Sequence, residues 1–157
     1  MHNDHDVRVI NSLIATTIDS VDGYRSAATD ASNEQFRSIF TARADEREEL
    51  VRELQEHVRQ LGGNPEDDGS TLAGAHRFMM DVRDALTGQD DDAVIAEVER
   101  GEDHIKHKYE AALADTELSP QCRDIVQRCF RSVKEGHDQM RDLKHGVTGS
   151  SSTWATE

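Results

Sequence analysis

Four side chains in this sequence are of the types a dinuclear iron or manganese centre uses: Asp22, Glu46, Glu102 and His137. In helical bundles such a centre takes a glutamate from each of two helices and a Glu-x-x-His pair from each of the other two. Carboxylate oxygen and imidazole nitrogen suit those ions, and i, i+3 spacing puts both ligands on one helix face. The pattern here is incomplete. One stretch reads Glu46-Arg47-Glu48-Glu49, without the histidine, and another reads Lys134-Glu135-Gly136-His137, with lysine where the paired glutamate belongs. Arg43 and Arg47 share the seam with Glu46 and bring positive charge to the place where a dication needs negative charge. The expected chemistry is therefore neutralisation. Arg43 and Arg47 satisfy Glu102 and Glu46, with Tyr24 and His137 hydrogen-bonded into the same buried network. A partial iron or manganese site on Asp22, Glu46, Glu102 and His137 is the alternative.

Other metal-ligating or reactive groups point less far. His104 and His107 lie three apart but off the core face, and read as solvated. The terminal set His2, Asp4, His5 and Asp6 tolerates metal and reads as incidental, while Glu66-Asp67-Asp68 lacks the alternating ligands and final glutamate of a calcium loop. The chain holds no glycine-rich phosphate loop, nucleophile elbow or Cys-x-x-Cys pair. Cys122 and Cys129 are seven apart in one expected helix, roughly 10 Å along its axis, too far for a disulfide. Both are expected in the core of a protein in a reducing compartment.

Long amphipathic helices must position these groups. Of the 157 residues, 35% are hydrophobic, 4% aromatic and 32% charged, which suits helices with solvated outer faces, and no β-branched runs of period two occur. Thirty-two acidic against 18 basic residues give a net charge of −14. That balance repels nucleic acid. No apolar run approaches the ~18–20 residues of a membrane span, and the polar N-terminus is unlike a signal peptide. A cytoplasmic protein is expected.

The first helical stripe covers residues 6–29, through Val7, Ile10, Leu13, Ile14, Thr17, Val21 and Tyr24. After the turn Asp30-Ala31-Ser32-Asn33 comes a helix over 34–61. Its apolar seam of Phe36, Phe40, Leu50, Leu54 and Leu61 is interrupted at Arg43 and Arg47. The short turn makes the two antiparallel. Gly62-Gly63-Asn64-Pro65 stops the second helix, and a weaker helix over 71–87 is expected to act as a crossover. A third helix over 90–114 carries Glu102 near the centre of its stripe. Ser119-Pro120 opens a fourth, whose stripe includes Cys122, Cys129 and His137. Counting back from the turn at Glu117 sets Glu102 opposite Ser132, with His137 a turn or more away.

Two antiparallel hairpins joined by a long crossover make an all-α, ferritin-like four-helix bundle. It forms one domain over 1–145, followed by a Ser/Thr/Gly-rich disordered tail over 146–157 that contains Trp154. Phe78, Met79 and Met80 on the crossover offer an apolar face for homo-oligomerisation.

Several separated motifs stand in order: Asp22-Gly23-Tyr24-Arg25-Ser26-Ala27-Ala28, Glu46-Arg47, Leu61-Gly62-Gly63-Asn64-Pro65, Ala85-Leu86-Thr87-Gly88, Glu99-Arg100-Gly101-Glu102-Asp103 with Tyr109, and His137-Asp138. Together they resemble an uncharacterised bacterial family of four-helix-bundle proteins grouped with the ferritin-like superfamily. The resemblance spans roughly residues 7–143. It implies a ferritin-like bundle of unestablished role and supplies no catalytic residues. On this reading the chain is a non-enzymatic, stress-related or interaction module with a buried Arg/Glu/His network, the alternative being a metal-binding, redox-type relative.

Overall fold

A computed structural model describes residues 3–69 and 91–148. Four helices make up nearly all of that: α1 (Asn3–Asp30), α2 (Glu34–Gln60), α3 (Asp91–Ala114) and α4 (Pro120–Thr148). Their ends are set by local chemistry. The Asn33 side chain accepts the Phe36 N–H at 3.1 Å and caps α2. At the other end of α2, Gly62 takes φ +82°, and the N–H of Gly63 returns to the Val58 carbonyl at 3.0 Å. Only glycine adopts that left-handed turn without strain. The Ser119 hydroxyl accepts the Cys122 N–H at 3.3 Å and starts α4. Two boundaries differ from expectation. Helix α1 begins at Asn3, with Asp4 and Asp6 favourable in its first turn, and α4 continues through Gly146 to Thr148. The expected crossover helix over 71–87, its Phe78, Met79 and Met80, and Trp154 lie outside the described residues.

Helix α1 packs along α2, α3 packs along α4, and contacts between α1 and α3 join the two hairpins. The register follows from cross-helix bonds. Asn3 reaches the Leu61 carbonyl at 2.9 Å while Arg25 meets Asp45 at 2.8 Å, so α1 and α2 are antiparallel. Lys144 pairs with Glu99 at 2.9 Å and Arg123 donates to the Asp115 carbonyl at 2.7 Å, so α3 and α4 are antiparallel too. After α2 the chain turns back along α1. Asn11 is bonded to both Asn64 and Glu66, and Gly69 lies against Asp19. Asp91 resumes at the opposite end, where its carboxylate accepts from the Ser32 and Asn33 N–H groups at 3.1 and 3.0 Å. Helices α2 and α3 therefore run in the same direction, diagonally opposed.

The core falls into two apolar clusters stacked along the bundle axis. One is largely aliphatic, built on Ile10, Leu13, Ile14, Leu50, Leu54, Ile105, Tyr109, Val126 and Cys129. The other is richer in aromatics, with Tyr24, Phe36 and Phe40 packed against Val94, Ile95 and Met140. Between them lies a charged layer.

Candidate functional site

The layer is centred on Arg47, whose side chain is 0% exposed. A bare guanidinium in hydrocarbon costs several kcal/mol, so it persists only with partners in good geometry. Its Nη2 donates to Glu102 Oε1 at 3.0 Å, and its Nη1 donates to Ser20 Oγ at 2.6 Å. The Tyr24 hydroxyl donates to the other carboxylate oxygen, Glu102 Oε2. The Arg47 guanidinium also stands 5.5 Å from the centre of the Tyr24 ring, a cation–π contact shielded from water. Helix α4 contributes space. A Cβ at Gly136 would collide with Arg47 Nη2 and approach Glu102 Oε2 at 3.5 Å. All four helices meet here, and the ion pair runs along the diagonal from α2 to α3.

Electrostatics follow from this burial. Burial lowers the proton affinity of the Arg47 guanidinium, but Glu102, then Tyr24, outweigh it and leave the value above the ordinary one. Burial and the Glu102 charge push the Tyr24 hydroxyl well above its ordinary value, so it stays a neutral donor. The Nε of Arg47 is buried without a hydrogen-bond partner among the described residues.

Of the six residues expected in the network, Tyr24, Arg47 and Glu102 come together. Arg43 sits one turn away at the edge, where Nε donates to Gln139 Oε1 at 2.7 Å and Nη1 to Glu46 Oε1 at 2.5 Å. Glu46 is thus held at the rim by Arg43 and is 38% exposed. His137 turns away from Glu102. Its Nε2 lies 2.6 Å from Asp103, on the outer side of α3, and its Nδ1 is buried without a hydrogen bond. Asp22 is exposed on α1. The level across α3 and α4 also differs from expectation: Gly136, not Ser132, stands beside Glu102. The helices are offset by about a turn relative to a count taken from the turn at Glu117.

Ser20, Gly136 and Gln139 were missed by sequence reasoning. A glycine inside a helix one position from an inward-facing histidine is a signal of close approach by a neighbouring group; nothing in the sequence marks Ser20 or Gln139.

The four metal-type residues do not converge. Among the described residues, the group of three or more such ligands whose donor atoms all lie within 4.8 Å of one another is Glu66, Asp67 and Asp68, on the loop after α2. Mid-bundle, one carboxylate with both oxygens engaged, beside a buried guanidinium, is a donor set that does not fit a di-iron or manganese centre.

No helix among the described residues is long and apolar enough to cross a membrane. No curated protein matches the chain. A family model described as Domain of unknown function (DUF2383) matches residues 6–115, a span that contains Tyr24, Arg47 and Glu102 and ends before α4. The chain, whose described residues form a helical bundle organised around a buried arginine–glutamate pair, belongs to that family.

Proposed function

We propose that the chain is a ferritin-like bundle without a reaction centre, acting in the cytoplasm through its folded surface as a stress-related or interaction module. The direction of the helices supports the ferritin-like reading: two antiparallel hairpins, with α2 and α3 parallel across an end-to-end connection. The observation that carries the rest is the state of Glu102. Both of its oxygens are engaged within the chain, by Arg47 and by Tyr24, at 2% exposure. A carboxylate so engaged neither takes up a substrate proton nor turns toward an ion. Its role is to neutralise Arg47 and so fix how the two hairpins seat on each other.

Replacing Glu102 by alanine strands the Arg47 charge and should lower unfolding free energy by ~3–5 kcal/mol in urea, with the metal content unchanged. Stoichiometric iron or manganese in protein purified without chelator, removed by Glu102→Ala at undiminished stability, would instead establish the metal-binding alternative.

A further inference from the structure

At the end of the bundle where α2 finishes and α4 begins, ligand-type side chains from three helices gather. Cys122, buried in the first turn of α4, has its Sγ 3.2 Å from Nε2 of His57 on α2. Asp6, buried on α1, accepts the Ser119 N–H at 3.1 Å through Oδ1, which sets its carboxylate beside the first turn of α4, where its charge acts on the Cys122 thiol. His57 borders an open groove of about 590 Å³ between α2 and α4, where the hairpins touch sparsely. Glu49, Glu53, Glu56 and Asp124 line it against Arg52 and Arg128, so acid is in excess and a small cation is attracted.

We propose that Cys122, His57 and Asp6 form a binding site for a zinc-type divalent cation, which fastens α1, α2 and α4 at this end of the bundle. Thiolate, imidazole and carboxylate together are a donor set that zinc selects. Ligands at ~2.0–2.3 Å in a tetrahedron place neighbouring sulfur and nitrogen about 3.5 Å apart, close to the spacing Cys122 and His57 already have. The three donor atoms do not all lie within 4.8 Å of one another, so binding draws Asp6 and the partly exposed His57 inward. The Ser119 N–H on Asp6 Oδ1 orients that carboxylate, as outer partners of metal ligands do.

Burial, with Asp6 opposing it and Arg128 adding to it, holds the His57 imidazole below its ordinary value; neutral imidazole is the ligating form. Burial raises the Cys122 thiol, so the ion displaces its proton: the S–H bond breaks as the metal–sulfur bond forms, the proton leaves to solvent, and no electron is transferred. Arg128 opposes a cation nearby, but Glu53 holds it at 3.4 Å.

The full chain, stripped of metal, is titrated with cobalt(II) and then zinc(II). The expected result is a near-ultraviolet thiolate-to-cobalt band saturating at one ion per chain and erased by zinc. Cys122→Ala should abolish the band, and Cys129→Ala should keep it. His57→Gln, at a partly exposed position that folds independently of the outcome at Cys122, should weaken zinc at least tenfold. Absence of the band in the wild-type chain, its survival in Cys122→Ala, its loss in Cys129→Ala, or unchanged zinc affinity in His57→Gln would each overturn the site.

Discussion

Two buried tyrosines tie α1 to α3 with different chemistry. Residue 17 faces 109 and residue 24 faces 102, seven apart on each helix, so both rungs belong to one antiparallel register. At the first, the Tyr109 and Thr17 hydroxyls meet at 2.8 Å, and Thr17 Oγ1 also bonds to the Leu13 carbonyl at 2.6 Å. Burial and the nearby Cys129 raise the Tyr109 hydroxyl strongly, so this rung is neutral throughout. At the second, Tyr24 meets a carboxylate that is also held by Arg47 from α2 beneath Gly136 of α4. A neutral rung satisfies its own two helices and demands nothing of the others. A charged rung in hydrocarbon must be neutralised, so it recruits the remaining two helices and fixes their level.

Removing each hydroxyl measures that difference. Tyr24→Phe leaves a buried carboxylate short of a donor and should cost ~1.5–3 kcal/mol in urea unfolding, the range for hydrogen bonds to charged groups. Gly136→Ala comes next. Alanine normally favours a helix by ~1 kcal/mol over glycine, yet here its Cβ would displace the Arg47 guanidinium, and overpacking of ~1–3 kcal/mol should make the change net destabilising. A stabilised Gly136→Ala protein would mean that Arg47 moves aside freely. Tyr109→Phe, at the neutral rung, should cost only ~0.5–1.5 kcal/mol; equal losses at the two tyrosines would erase the distinction.

The smallest effect is at Asp22, outside both rungs. Partial burial of an otherwise exposed carboxyl, then Asp19, raises it above the ordinary 3.8, so the folded chain takes up this proton at higher pH than the unfolded chain. Ionised Asp22 therefore burdens the fold at neutral pH, and the burden fades as pH falls through the raised value toward 3.8. Asp22→Asn should stabilise slightly at pH 7, within ~0.5 kcal/mol after solvent screening, and not at all in acid. Melting temperatures of the two proteins across that range would show the gain narrowing, or refute it.

Helix positions were legible because period and punctuation agree: Asn33, Gly62 and Ser119 stand where the chain needs a cap or a left-handed turn. Arg47 and Glu102 were legible as inward charges because they interrupt apolar stripes. Arg43 and His137 share those stripes, but a wheel gives angle and not reach. A long arginine near the stripe's edge extends to Gln139 and Glu46 at the rim, and His137 finds Asp103 on the next helix. The axial offset that brings Gly136 to Glu102 is set across the connection between Ala114 and Pro120, whose path no helical period encodes. The Cys122–His57 contact spans 65 residues, a pairing no local spacing encodes.

The central claim is that Arg47 and Glu102 act as one unit across the diagonal of the bundle. A double-mutant cycle with Arg47→Met and Glu102→Leu, read by urea unfolding, tests it most directly. Each single change should cost ~3–5 kcal/mol by stranding the other charge, while the double change, which strands neither, should cost at least ~2 kcal/mol less than the sum of the singles. Costs that add within ~0.5 kcal/mol would contradict it.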